Sequence, residues 1–212
     1  MSAPTKDEFI AALQQRHGVE MQQKLMNSSV AVCGLGGLGS NIAIALARAG
    51  VGRLHLIDFD RVDISNLNRQ QYRVSQLGKY KTEALCEQLK DIAPYVEITA
   101  DTVKLDEDNI PSLLKNEDII CEAFDLPEEK AMLVNTVLEC FPDKYLVAGS
   151  GMAGLGSANS IRTRRVMKNF YLCGDEVSAV SETSGLFSAR VMLCAAHEAM
   201  MILRLIADKK EA

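Results

Sequence analysis

The run in this 212-residue chain that most suggests chemistry is Gly34-Leu35-Gly36-Gly37-Leu38-Gly39, which fits G-x-G-x-x-G. It lies between a short apolar run, Ser29 to Cys33, and an Ala-rich stretch, Ser40 to Ala49, so the pattern predicts strand, glycine turn and helix. Glycines at such a turn let backbone N–H groups approach a polyphosphate at a helix N-terminus. Asp58, nineteen residues after the last glycine and at the end of the next apolar run, is placed to accept hydrogen bonds from ribose hydroxyls. The plainer alternative is that Gly37 and Gly39 only permit close helix-to-strand packing and that Asp58 is a solvated strand-end acid. Together these features favour an adenine nucleotide without naming which one.

Two cations come next. Arg69 and Lys81 lie on the segment that leaves the second strand and enters the next helix, where both can reach bound phosphates. A dehydrogenase needs only to hold a diphosphate. An adenylating enzyme must also stabilise charge that builds between the α-phosphorus and departing pyrophosphate, which suits fixed cations. The competing reading pairs Arg69 with Asp63 and leaves Lys81 solvated on its helix. Asp125 comes after the apolar run Ile119 to Ala123 and precedes Pro127, so it stands at the carboxyl end of a strand, where open α/β sheets bind ligands.

The elements that must position these residues alternate. Arg53 to Asp58, Val96 to Ala100, Asp118 to Ala123 and Tyr145 to Ala148 read as strands. Lys81 to Ile92, Ile110 to Leu114 and Pro127 to Phe141 read as helices, the last entered by a proline. Repeated β-α-β units imply an α/β fold: a doubly wound, mainly parallel sheet covered on both faces. Asp60 to Gln76 has no periodicity and is long enough to suspect function. After Gly149 the rhythm changes, and Ser157 to Thr163 and Asn169 to Cys173 are expected as strands or extended arms, a C-terminal antiparallel extension. A last helix, Ser188 to Ala207, places Met192, Ala195, Ala199, Ile202 and Ile206 on its core face. Residues 1–26 read as a helical segment broken at Gly18, ahead of one domain over 27–212.

Composition narrows the classes. At 48% hydrophobic and 24% charged the chain resembles an ordinary globular enzyme rather than a disordered or collagen-like one. A net charge of −5 supplies no global field for nucleic acid or an anionic membrane, so an anionic ligand must be held locally. The six cysteines, at 33, 86, 121, 140, 173 and 194, never form Cys-x-x-Cys, which argues against disulfide frameworks and cysteine-based zinc and makes buried core the default for each. The N-terminus reads as neither signal peptide nor anchor, and the apolar stretch Val191 to Ile206 is interrupted by His197, Glu198 and Arg204, so a cytoplasmic protein is expected.

Asp58-Phe59-Asp60-Arg61-Val62-Asp63-Ile64-Ser65-Asn66-Leu67-Asn68-Arg69-Gln70, with Gly78-Lys79-Tyr80-Lys81, Gln23-Lys24-Leu25 and Gly34 to Ser40, closely resembles the ThiF/MoeB group, adenylating relatives of the ubiquitin-activating enzymes. The likeness runs from about Arg16 to the last helix, and its Ser-Asn-Leu-Asn-Arg-Gln stretch is far more specific than the glycines. It is most similar to the short, zinc-free, thiamine-biosynthesis ThiF branch, the sulfur-carrier adenylyltransferases.

The resemblance implies a Rossmann-like domain using ATP and Mg²⁺, without structural zinc. Its reaction would adenylate the C-terminal glycine carboxylate of a ubiquitin-like, ThiS-type sulfur carrier ending in Gly-Gly and release pyrophosphate. It implies nucleotide contacts for Gly34, Gly36, Gly37, Gly39, Asp58, Asp60, Asn66, Asn68, Arg69 and Lys81, although an Asx-turn role serves Asn66 and Asn68 nearly as well. Asp125 resembles the magnesium-site aspartate, a hard carboxylate suited to Mg²⁺, with helix-start assistance as its alternative. Leu126 stands where relatives carry Asn, and Lys130 where they carry Arg. Arg16 resembles an arginine that reaches the partner's ATP in related homodimers, against the reading of an exposed surface group.

Gly149 to Gly154 would give the carrier tail a narrow entry, under a crossover formed by Gly174 to Gly185. Cys173 is the thiol nearest that crossover, but structure is favoured over reactivity there and a separate sulfur donor is expected. Other readings are a molybdopterin-synthase carrier adenylyltransferase, a tRNA-modifying ThiF-like enzyme, an NAD-dependent oxidoreductase, and a catalytically silent partner subunit.

Overall fold

Short apolar runs in a β-α-β alternation build one sheet, and a computed structural model describes it over residues 4–181 and 184–212. The strands are β1 (Ser29–Cys33), β2 (Arg53–Ile57), β3 (Glu97–Asp101), β4 (Ile119–Glu122), β5 (Tyr145–Gly149), β6 (Arg162–Met167) and β7 (Phe170–Gly174). Their order is β3-β2-β1-β4-β5-β7-β6, parallel throughout except for the β6–β7 hairpin. The Rossmann-like α/β expectation holds, antiparallel extension included. From β1 the chain winds outward through β2 and β3, then returns to lay β4 on the other side of β1. This reversal opens a crevice at the carboxyl ends of β1 and β4, the usual ligand position in such sheets.

The helices are α1 (Lys6–His17), α2 (Val19–Asn27), α3 (Gly37–Ala49), α4 (Lys81–Ile92), α5 (Ile110–Leu113), α6 (Pro127–Cys140) and α7 (Ser188–Ile206). Alternate strand residues feed two cores. Val30, Val32, Leu54, Leu56, Cys121 and Val147 join the cluster that includes α3, α4 and α7. Ala31, Cys33, Ile57, Ile120 and Leu146 join the cluster of α5 and α6. Gly18, at φ 88°, separates α1 from α2 as the break in periodicity suggests.

Several expectations need correction. Helix α3 begins at Gly37, not Ser40, because the glycines themselves form its first turn, and the Ser40 hydroxyl bonds back to the Gly36 carbonyl at 2.6 Å. Residues 157–161 hold a 3₁₀ turn at Ala158–Ser160, and β6 starts only at Arg162. On α7 the buried stripe runs through Val191, Cys194, Ala195, Glu198 and Ile202, which leaves Met192 46% exposed and off the core face. All six cysteines are free, but Cys140, in the last turn of α6, is exposed and Cys86 only partly buried. Among the described residues no helix is long and apolar enough to cross a membrane.

Glu198 is a charged residue inside α7's buried stripe, receiving the thiols of Cys121 at 3.5 Å and Cys194 at 3.9 Å. Burial, then the nearby charge of Glu122, push its pKa from the ordinary 4.5 to about 8. Between those values the folded chain holds a proton that the unfolded chain has lost, so stability falls as pH rises through that window. Glu198→Gln is neutral at every pH. Calorimetry should show its melting temperature gaining on wild type at about pH 8 and little at about pH 5. An equal shift at both would contradict the assignment.

Candidate nucleotide site

At the end of β1 the chain turns on Gly34, whose φ of 90° suits glycine and whose N–H donates to the Ile57 carbonyl at 2.8 Å. A Cβ there would come within 2.9 Å of the Ala123 carbonyl and the Phe124 ring, so the turn rests directly on the exit of β4. The other glycines divide between two tasks. A Cβ on Gly39 would strike the Gly34 carbonyl, and one on Gly37 would come within 2.9 Å of Val191. A Cβ on Gly36 would meet only the Gln70 amide, at 3.7 Å. Packing therefore explains Gly39, while Gly36 faces open space. Gly36 is also the N-cap of α3, and no side chain among the described residues caps that helix, so its first-turn N–H groups remain available to an anion.

The crevice at this end of the sheet has a volume of about 740 Å³. One wall carries Gly36, Gly37, Asn66, Arg69 and Lys81. A second is apolar, formed by Ile57, Phe59, Val103, Leu105 and Phe124. Residues 149–153 and 176–180 line the crevice too. Gln70 also lines the crevice, and its buried side-chain oxygen has no partner among the described residues, so a ligand hydroxyl or amide would satisfy it.

Asp58 is buried and committed to the turn: its carboxylate accepts the Leu35 N–H at 2.6 Å and the Asp60 N–H at 2.7 Å. Burial raises its pKa, against the lowering effect of Lys81 and those two N–H groups. Tyr72 secures the other side of the same turn, its hydroxyl donating to the Leu35 carbonyl at 2.7 Å. Asp60, with its side chain 51% exposed, is the more open acid for a ribose. Lys81 opens α4 and is only 5% exposed, so it is no solvated surface residue. Its ammonium lies 2.7 Å from Asp60 and 3.8 Å from Asp58.

Arg69 is placed differently. Its guanidinium donates to the side-chain oxygens of Asn66 at 3.1 Å and Asn68 at 3.0 Å, both neutral. Asp63 accepts the Ser65 N–H at 2.8 Å and caps a 3₁₀ turn instead of pairing with Arg69. Among the described residues no carboxylate forms an ion pair with Arg69.

Asp125 is exposed in the crevice and, among the described residues, has neither hydrogen bond nor ion pair. No group of three or more His, Cys, Asp or Glu side chains is arranged around a metal among the described residues. One unpaired carboxylate lining the crevice fits Mg²⁺, which takes one or two protein carboxylates and completes its shell with substrate phosphates and water.

Gly34, Gly36, Gly37, Asp58, Asp60, Asn66, Arg69, Lys81 and Asp125 thus come together around one crevice. Gly39 lies behind it, Asn68 stands outside and donates to the Leu186 carbonyl at 3.0 Å, and Arg16 is exposed in the last turn of α1. Of the expected crossover, Glu182 and Thr183 fall outside the described residues. Residues 175–178 form a turn on Asp175, which accepts the Ser178 and Val177 N–H groups and the Arg190 guanidinium. Burial opposes that carboxylate's charge, but those donors outweigh it and hold the pKa at about 2. Cys173 is buried in β7 and burial pushes its thiol up, which makes it a packing residue rather than a nucleophile. Sequence reading missed the apolar wall, because Val103 and Leu105 belong to an aperiodic connection that only the fold brings beside Phe59.

These features define an α/β protein with an anion-ready crevice at its topological switch point. The chain belongs to the ThiF family, whose sequence profile, described as "ThiF family", matches residues 10–212. It is 38% identical over 109 residues to "Adenylyltransferase and sulfurtransferase MOCS3" of Caenorhabditis briggsae, covering 51% of this chain and 27% of that protein. It is 31% identical over 191 residues to "Adenylyltransferase and sulfurtransferase UBA4" of Lodderomyces elongisporus, covering 87% of this chain and 42% of that one. The chain therefore spans less than half the length of these relatives. In fold it is similar to E. coli tRNA N6-threonylcarbamoyladenosine dehydratase, TcdA, solved with AMP, at a TM-score of 0.86 and 20% identity over 99% of this chain and 98% of that one. It is also similar to E. coli MccB solved with ATP, at 0.71 and 22% identity over 94% and 62% of the two chains.

The division among the glycines is testable. Gly39→Ala should lower the melting temperature sharply, because backbone must move to admit the methyl group. Gly36→Ala should keep wild-type stability and lose nucleotide affinity by calorimetric titration. The reverse pattern would refute the assignment.

Proposed function

We propose that this chain binds Mg-ATP in the crevice and transfers AMP to the C-terminal glycine carboxylate of a ubiquitin-like sulfur carrier ending in Gly-Gly. The observation that carries the reading is the unmatched guanidinium of Arg69 beside an uncapped helix N-terminus. A carboxylate oxygen of the carrier attacks the α-phosphorus, the bond to the bridging β-phosphate oxygen breaks, and pyrophosphate leaves. The attacking group is already an anion, so no protein base is needed; catalysis is placement and charge stabilisation. Arg69 and Lys81 face the charge that develops, and the apolar wall of Phe59, Val103 and Leu105 receives the base. Asp125 would hold Mg²⁺, which would neutralise phosphate charge when bound.

Gly149 and Gly151, which line the crevice, suit the passage of an extended glycine tail. Within this class we favour a ThiS-type carrier of thiamine biosynthesis, on the resemblance carried by Asn41 and the Phe124-Asp125 surroundings. A cytoplasmic homodimer completes the reading, with exposed Arg16 reaching a partner's nucleotide. The buried state of Cys173 supports a separate sulfur donor. The relatives named as both adenylyltransferase and sulfurtransferase support the first half of the chemistry. A second reading, a carboxylate borne by tRNA, is favoured by the near-complete overlap with TcdA, and the net charge of −5 counts against it.

ATP–pyrophosphate exchange separates these readings. Exchange should require a carrier with its terminal glycine intact and fall by about a hundredfold or more in Arg69→Ala and Asp125→Ala. Exchange driven by tRNA alone, unchanged exchange in both variants, or tight binding of NAD in place of ATP would overturn it.

A further inference from the structure

Behind Asp125 lies a buried ion pair that the proposed chemistry does not use directly. Glu122 ends β4 and is fully buried. Because Cys121 points to Glu198 on α7, alternation turns Glu122 to the opposite face of the sheet, where α6 packs. A carboxylate enclosed in this way requires a partner and satisfied hydrogen bonds. Lys130, within α6, supplies the charge: its ammonium stands 2.9 Å and 2.8 Å from the two carboxylate oxygens. The same ammonium donates to the Phe124 carbonyl at 2.9 Å, while the Phe124 N–H donates to Glu122 at 2.7 Å. Residue 124 is thus held through both its N–H and its carbonyl, and the next residue is Asp125. The Phe124 ring and the Ala123 carbonyl also form the surface on which Gly34 turns.

We propose that Glu122 and Lys130 are positioning residues that fix Asp125, and with it the metal-bearing edge of the crevice, relative to the glycine turn. The proposal rests on the nucleotide reading and adds two residues to it. A lysine lining the crevice invites a simpler role, direct contact with a phosphate. Its surroundings argue otherwise, since the ammonium donates to a Glu122 oxygen and to the Phe124 carbonyl, and the buried Glu122 carboxylate, its other oxygen 2.8 Å away, offsets its charge. Outer-shell groups of this kind act on the metal rather than on the nucleotide alone.

The test uses the full chain, with Mn-ATP and metal-free ATP as two separate probes, binding of each measured by calorimetry and the bound Mn²⁺ by its EPR line shape. Lys130→Met should weaken Mn-ATP by about tenfold or more and metal-free ATP by less than about threefold, and Lys130→Arg should recover most of the loss. Glu122→Gln, which keeps the shape and the hydrogen-bonding oxygen, should weaken Mn-ATP in the same selective way; it carries the test alone if the methionine variant does not fold. Equal weakening of both probes would mean that Lys130 touches phosphate, and unchanged Mn-ATP binding in the folded variants would mean a purely structural pair. Either result overturns the proposal while leaving the nucleotide reading intact. Failure of wild type to bind either probe removes that reading itself.

Discussion

A chain of net charge −5 that is to hold a polyanion must keep some positive charge unspent, and Arg69 is where it does so. Lys81 is nearly neutralised by Asp60 and Asp58, whereas Arg69 is steadied by two amide oxygens that orient the guanidinium without cancelling it. The uncapped first turn of α3 adds partial positive charge from backbone N–H groups at the same end of the sheet. Neutral supports for a cation and an uncapped helix make little sense as stability devices. They make sense as a prepared anion site, where placing charge before the ligand arrives avoids reorganisation during reaction.

That preparation depends on rigid backbone below it. Gly34 rests on Ala123 and Phe124, Asp58 and Tyr72 grip Leu35 from two sides, and Gly39 brings the helix against the turn. The β1–β4 switch point is thus shared by the glycine turn and the strand that presents Asp125. Displacement of one would move the other. Asp175 and Arg190 play a comparable part, fixing the turn at residues 175–178, of which 176–178 line the crevice.

Elements driven by local pattern were legible from sequence: β1 and α4 lie where apolar runs and helical spacing put them. The start of α3 was not, because glycine's poor helix propensity hides a turn set by tertiary contact with β4. Met192 was misplaced because a shift of one residue, invisible in an apolar helix, rotates its face by about 100°. At the site, residue type and chain position marked Arg69, Lys81 and Asp125 as candidates, the family resemblance weighed Arg69 and Lys81 above a solvated surface role, and the fold brings all three to one crevice. The split of tasks between Asp58 and Asp60 could not, since it depends on which carboxylate meets the Leu35 N–H. The Glu122–Lys130 pair was equally hidden: a glutamate inside an apolar strand gave a signal, but its partner is eight residues away in another element.

The most direct test of the central claim is a crystal structure of the chain soaked with Mg²⁺ and a non-hydrolysable ATP analogue. The account predicts phosphates over the glycine turn at Gly36, with the Arg69 guanidinium drawn onto their oxygens and the base against Phe59 and Val103. Phosphates bound elsewhere, or Arg69 still held only by Asn66 and Asn68 beside a bound nucleotide, would contradict it.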